Sequence, residues 1–207
     1  MAITGSSWED LRQNIRQMLD KSIPEAGLSS DDKQFKVITG MDTPSLKKAW
    51  AGGSLLTSCN AFLGWAANQI GVQRGSVLRG ALDISKAEKE VPGCWLEANT
   101  GEAIDYDLHP KSGDFYSSPH HFKATAKAKA WTQKWGHVGL VYDYDEYSGM
   151  WTLVQGGQGG PNAGRDFIKW STTKFDRTKI NGWVDIACYM MPDGPDGSDR
   201  ESSIYSY

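Results

Sequence analysis

Apolar residues recur at helical spacing near the start of the chain. Trp8, Leu11, Ile15, Met18 and Leu19 line one side of a helix predicted over residues 6–20. Ser6 with Glu9, or Ser7 with Asp10, offers a capping box in front of it, and Pro24 and Gly27 close it. Residues 25–53 are Gly-, Ser- and Asp-rich, with room for a short helix near Ser45–Trp50. A second helix follows Thr57-Ser58 and runs from Cys59 to Ile70. Phe62, Leu63, Trp65, Ala66 and Ile70 form its broad apolar stripe, and Gly71 is its stop. Residues 76–90 suit a third helix, and 91–108 follow no single period. From residue 110 the pattern turns toward strands: Asp114–Ser117, His137–Tyr144, Met150–Gln155, Phe167–Trp170 and Trp183–Met190. Lys123–Trp135 carries helix-forming Ala and Lys, Tyr147–Gly149 reads as a hairpin turn, and Gly156–Gly164 as a loop. Helices first and an antiparallel sheet second make the expected class α+β.

Composition narrows the function. The chain has 207 residues, 39% of them hydrophobic and 23% charged, enough for one domain with its own core. The formal charge of −3 offers no basic excess for phosphate contacts, so no nucleic-acid partner is expected. No run approaches the roughly 18 apolar residues of a membrane helix, so no membrane span is expected. The opening MAITGSSWEDLRQ lacks the basic and apolar regions of a Sec signal peptide, which implies synthesis in the cytoplasm and export, if any, by another route. Three Cys (59, 94 and 188) are an odd number and argue against a disulfide framework. The stretch Pro192–Tyr207, rich in Asp, Gly and Ser, reads as a mobile tail.

The candidate chemistry begins at Cys59. It lies in the first turn of the second helix, where unpaired N–H groups and the helix dipole favour a thiolate. The competing reading is a small buried hydrophobe. His137 opens a strand, where an imidazole can face a helix N-terminus and act as base and then acid; a partly exposed, hydrogen-bonded His is the plainer reading. Gln155 ends the next strand. Its side-chain oxygen can accept the other ring N–H of His137 and set the tautomer, or it is an ordinary loop-edge residue.

Several stretches together resemble one superfamily. T-S-C-N-A-F-L-G-W-A-A-N-Q-I-G resembles the nucleophile helix of the papain-like NlpC and CHAP cell-wall hydrolases and of the amidase effectors of type VI secretion. The segment from His109 to Tyr116 is similar to their P-x-x-G-D strand, G-H-V-G-L-V to their His strand, and Gly182-Trp-Val-Asp-Ile to their closing strand. The resemblance covers about residues 55–190. It implies a papain-like fold with N-terminal helices packed on an antiparallel sheet, and hydrolysis of amide bonds in peptidoglycan stem peptides. By it Cys59 is nucleophile, His137 base and Gln155 the orienting residue. Gly52, Gly53 and Ser54 stand where papain-type enzymes carry an oxyanion-binding Gln, so the oxyanion falls to backbone N–H groups at Cys59 and Asn60, with Ser58 beside them.

The organisation expected is an N-terminal helical extension over 1–54, a catalytic core over 55–191 with an insertion near 75–108, and the tail over 192–207. A delivered toxin or a lysin is expected, monomeric, needing no metal or cofactor, and in the toxin case blocked by a cognate immunity protein. Two alternatives stand beside this: the same Cys–His pair acting on a host protein as protease, deamidase or acyltransferase, and a non-catalytic binding module with the same fold. His109, His120 and His121 fit no metal-ligand spacing. The run Gly156–Pro161 lacks the G-K-[ST] of a phosphate loop. Asp105 with Asp107 and Asp143 with Asp145 read as solvated turns, and Cys94 and Cys188 as buried structural thiols.

Overall fold

The computed structural model describes residues 7–51, 58–81, 83–119, 136–157 and 166–193. Helix α1 spans Trp8–Ser22. Ser7 is its N-cap, its hydroxyl accepting from the Asp10 N–H at 3.1 Å, and Leu11, Ile15 and Leu19 turn one buried stripe inward. The next segment holds more order than its composition suggests. A two-residue strand β1 (Leu28–Ser29) precedes α2 (Lys33–Thr39), capped by Asp32, and α3 (Thr43–Ala51). The N-terminal stretch is therefore not purely helical, since β1 joins the main sheet.

Helix α4 runs Ser58–Ile70 and ends at Gly71, whose φ of 95° suits a glycine stop. Phe62, Leu63, Ala66, Ala67 and Ile70 are fully buried. Residues 76–90 do not form the expected third helix. They make two short 3-10 turns, Val77–Arg79 and Ile84–Lys89, separated by Gly80 at φ 129°. Such tight turns seldom extend beyond a few residues. The first passes so close to α4 that a Cβ on Gly64 would sit 2.8 Å from the Arg79 carbonyl oxygen.

Strands β2 (Trp95–Glu97), β3 (Phe115–Ser118), β4 (His137–Asp145), β5 (Met150–Gln155), β6 (Phe167–Lys174) and β7 (Gly182–Val184) complete a seven-stranded antiparallel sheet in the order β1-β6-β5-β4-β3-β7-β2. The fold is thus α+β. The stretch 75–108 is part of it: β2 closes one edge of the sheet on β7, and the short helix α5 (Glu102–Asp105) follows. Phe115, Val138, Leu140, Val154, Ile168 and Val184 pack with α1, α2 and α4 in the larger core. Tyr116, Trp151, Leu153 and Trp183 belong to a second, smaller cluster.

The expected strand Trp183–Met190 is corrected. Only Gly182–Val184 is extended; Asp185 then caps helix α6 (Ile186–Met190), its carboxylate accepting from the N–H groups of Ala187 at 2.9 Å and Cys188 at 3.0 Å. The cap satisfies donors that a strand would have sent to a neighbour, and it overrides the β-forming character of Ile186 and Tyr189. Asp185 is also part of a charged cluster. The Arg12 guanidinium donates to Asp114 at 2.7 Å, to Asp185 at 2.8 Å and to the Ser112 carbonyl at 2.6 Å. Asp114 further accepts from the N–H groups of Lys111 and Ile186. Burial pushes the Asp114 carboxyl up to about 6, against the pull of Arg12. This cluster ties α1 to the approach to β3 and to α6. The predicted helix over Lys123–Trp135 lies outside the described residues, as does the tail beyond Asp193.

Candidate active site

Cys59 sits in the first turn of α4, 5% exposed. Its thiol donates to the Asn60 Oδ1 at 3.6 Å, and the Asn60 amide donates to the Ala81 carbonyl at 3.0 Å. The Asn60 side chain is fully buried and works as a strut between the helix start and the turn after Arg79. What remains of Asn60 for an oxyanion is its main-chain N–H. That group and the Cys59 N–H belong to the first described turn of the helix. Ser58 is 1% exposed, and its hydroxyl has no hydrogen-bond partner among the described residues.

The strand carrying Gln155 leads directly onto Cys59. After Gln155 the chain crosses the start of α4 at Gly156 and Gly157. A Cβ on Gly156 would lie 2.6 Å from the Ser58 carbonyl oxygen and 3.1 Å from Cys59 Cα; one on Gly157 would lie 4.0 Å from the Cys59 sulfur. Gly157 also has φ 79°. Only glycine permits so close a passage of two backbones. The first two residues of the predicted glycine loop therefore seat the end of β5 on the helix start; residues 158–165 lie outside the described set.

Gln155 and His137 are bonded to each other. Gln155 Oε1 lies 2.8 Å from His137 Nε2, and it also accepts from the Tyr116 hydroxyl at 2.7 Å. The other end of the amide donates to Ser171 Oγ at 2.6 Å. An amide oxygen only accepts, so this arrangement puts the ring proton of neutral His137 on Nε2 and leaves Nδ1 as the basic nitrogen. Loss of solvent pushes the His137 pKa below its ordinary value, opposed by the Gln155 bond and the charge of Asp166. The imidazole is thus held neutral near pH 7, with an unprotonated nitrogen.

Tyr116 belongs to the same place. It is 3% exposed, its ring stands edge-on to His137 with centroids 6.2 Å apart, and burial pushes its phenol pKa up, a direction that an ionised Cys59 would add to. Gly139 is its register partner on β4, and a Cβ there would fall 2.6 Å from the Tyr116 ring. The glycine inside H-V-G-L-V is the signal that sequence reading passed over, since a strand glycine marks a close approach. Ser171 and Asp166 left no such mark.

A groove of about 490 Å³ opens beside Ser117 and Pro119, which flank the register partner of His137, and runs past Asn181 to Trp95 and Glu97. Away from the site, His109 stacks on Tyr144 with ring centroids 4.6 Å apart. Cys94 and Cys188 are buried and not joined in a disulfide. His120 and His121 lie outside the described residues. Among the described residues no group of three His, Cys, Asp or Glu could hold a metal ion, and no helix is long and apolar enough to cross a membrane. No family model, curated protein or solved structure matches the chain.

Proposed function

We propose that this chain is a papain-like cysteine hydrolase of the NlpC/CHAP kind that cleaves amide bonds in peptidoglycan stem peptides. The observation that carries the reading is the 2.8 Å bond between His137 Nε2 and Gln155, on a strand whose next two residues press against Cys59. In the reaction, His137 Nδ1 takes the thiol proton as the Cys59 sulfur attacks the amide carbonyl. The Cys59 and Asn60 N–H groups receive the oxyanion. The imidazolium gives its proton to the leaving amine, and a thioester remains. Water activated by His137 then releases the acid and restores the thiol. The peptidoglycan substrate rests on the resemblance of the Cys, Gly-Asp and His segments, as do delivery to a target periplasm, as toxin or lysin, and a blocking immunity protein.

Incubating the purified chain with purified peptidoglycan, followed by mass spectrometry of the muropeptides, tests this. Peptides cut at one amide, with one new amine and one new carboxyl, are expected. Cys59→Ala abolishes them, His137→Ala nearly does, and Gln155→Ala loses less, because an orienting amide contributes less than nucleophile or base. Equal cleavage by Cys59→Ala and the parent would overturn the mechanism.

A second reading, a binding module that keeps the fold, draws on the burial of Cys59, which at 5% is no more exposed than Cys188 at 7%. Iodoacetamide at pH 6 separates the two. A thiolate at Cys59 reacts well ahead of Cys94 and Cys188, whereas three ordinary thiols react slowly and in order of exposure.

A further inference from the structure

We infer that Tyr116 is a positioning residue that selects the tautomer of His137 through the orientation of the Gln155 amide. The inference rests on the hydrolase reading only for its kinetic arm.

The amide of Gln155 could lie either way round. In the observed orientation Oε1 accepts from Tyr116 and His137, while the NH₂ donates to Ser171. Turned over, the NH₂ would face the phenol oxygen and His137 Nε2, and Oε1 would accept from the Ser171 hydroxyl. Each group that faces the amide would still meet a partner across it, because both hydroxyls can donate or accept. The chemical result would be opposite. The ring proton would move to Nδ1, and the nitrogen that has to accept the thiol proton would already carry one.

The two hydroxyls break this near-symmetry. A phenol is intrinsically a more acidic donor than a serine alcohol, even as burial narrows the difference at Tyr116. Its oxygen is also the poorer acceptor, since a lone pair is delocalised into the ring. A phenol on one side of the amide and an alcohol on the other therefore draw Oε1 to Tyr116 and the NH₂ to Ser171. Solvent does not compete for the phenol hydroxyl itself, since Tyr116 is 3% exposed. The hydroxyl is held in place by the ring's contact with Trp151, centroids 5.2 Å apart, and by the space that Gly139 leaves for it. Gln155 sets the imidazole, and Tyr116 sets Gln155.

The test is nitrogen NMR of the full chain labelled in its histidines at pH 8, with His137 assigned by its loss in His137→Ala. In the parent, Nε2 resonates as the protonated nitrogen and Nδ1 as the bare one. In Tyr116→Phe, which keeps the ring and removes the donor, a substantial population moves to Nδ1–H. Gly139→Ala, which pushes the ring aside but keeps the hydroxyl, moves it the same way. In the muropeptide assay Tyr116→Phe lowers kcat about fivefold to tenfold, the loss expected for one hydrogen bond, with KM unchanged. Ring signals in Tyr116→Phe identical to the parent's would overturn the inference, as would a parent already protonated on Nδ1. A tautomer shift in a chain that cleaves no peptidoglycan would sink the hydrolase reading and leave the role of Tyr116 intact. Cleavage without a shift would do the reverse.

Discussion

Two polar clusters meet at β3, and they are built on opposite principles. Just before the strand, Asp114 is locked between Arg12 and the backbone, with side-chain exposures of 1% and 11% for the acid and the guanidinium. Within the strand, Tyr116 joins Gln155, His137 and Ser171 in a network without a formal charge at neutral pH. The charged cluster joins elements distant in sequence: α1, the approach to β3 and α6. The neutral one joins β3, β4, β5 and β6 across the sheet. A buried ion pair can exist in only one arrangement, because an unpaired charge in the interior is too costly. A chain of hydroxyls and amides can reverse its donors and acceptors at small cost. The first is suited to fixing where α1 docks. The second is suited to presenting a proton acceptor, provided something chooses its direction.

The largest expected effect separates the two clusters. Arg12→Met leaves Asp114 buried without its counter-charge and should cost about 3–5 kcal/mol of stability. For a domain of this size that is a fall in Tm on the order of 10 °C. The rate per folded molecule should stay within about twofold of the parent, since substitutions without shared partners act independently. Cys59→Ala should do the opposite: no cleavage, and stability within about 1–2 kcal/mol of the parent. Thermal melts with rates normalised to folded protein check both. If Arg12→Met melted like the parent but failed to cleave, the division of labour between the clusters would be wrong.

A smaller effect comes from pH, and the two regions should titrate in opposite senses. The Asp114 value of about 6 in the folded chain lies above the roughly 3.9 of a free Asp side chain. Folding therefore favours the protonated acid. Its contribution to stability is full below pH of about 4 and is lost as pH rises toward 6, a change of no more than about 3 kcal/mol. His137 is pushed below the ordinary imidazole value of about 6.5. Folding favours its neutral form, so its contribution is full above about 6.5 and is lost as pH falls through the lowered value. Melts of the parent, Asp114→Asn and His137→Gln between pH 4 and 7 resolve the two. The parent should gain on Asp114→Asn as pH falls, and lose ground to His137→Gln. Both gaps moving in one direction would show that the clusters are not distinct in this way.

The charged cluster was the less legible of the two in the sequence. Arg12 lies on the helix predicted from its apolar stripe, but nothing in the spacing links it to Asp114 or Asp185, which are 102 and 173 residues away. Asp185 also concealed a helix start inside an apparent strand, because Ile186 to Met190 alternates no better than it spirals. At the site the reading went further. Cys59 stands in the first turn of a helix that apolar periodicity located, and His137 and Gln155 mark the ends of two strands of one hairpin, so the local pattern placed them. Tyr116 entered only as the last residue of the segment that resembles the Gly-Asp strand. Its role depends on a cross-strand gap left by Gly139, and register is a tertiary fact that a single strand does not encode. The short turns over 76–90 were misread as helix because their composition suits one; Gly80 at a φ that other residues avoid interrupts it.

The smallest effect concerns Asp166, where a charge does touch the neutral cluster. Its main chain exchanges bonds with Ser30, the carbonyl accepting from the Ser30 N–H at 2.7 Å and the amide donating to the Ser30 hydroxyl at 2.8 Å. Its carboxylate accepts from the Phe167 N–H at 2.8 Å, so its position is held at both ends. Its charge raises the His137 pKa against the larger lowering by desolvation. Asp166→Asn keeps the size and removes that charge, so the His137 pKa should fall further. The acid limb of kcat/KM should move to lower pH by less than about one unit, as expected for a partly exposed charge acting at a distance. The plateau rate should drop slightly, because a weaker base takes the thiol proton less readily. Profiles of kcat/KM between pH 4.5 and 8 for parent and variant measure the shift, and raised salt should shrink it by screening. A limb that moved to higher pH would mean that Asp166 acts on His137 through structure, not charge. The neutral cluster would then be as insulated from its surroundings as the charged one is bound to them.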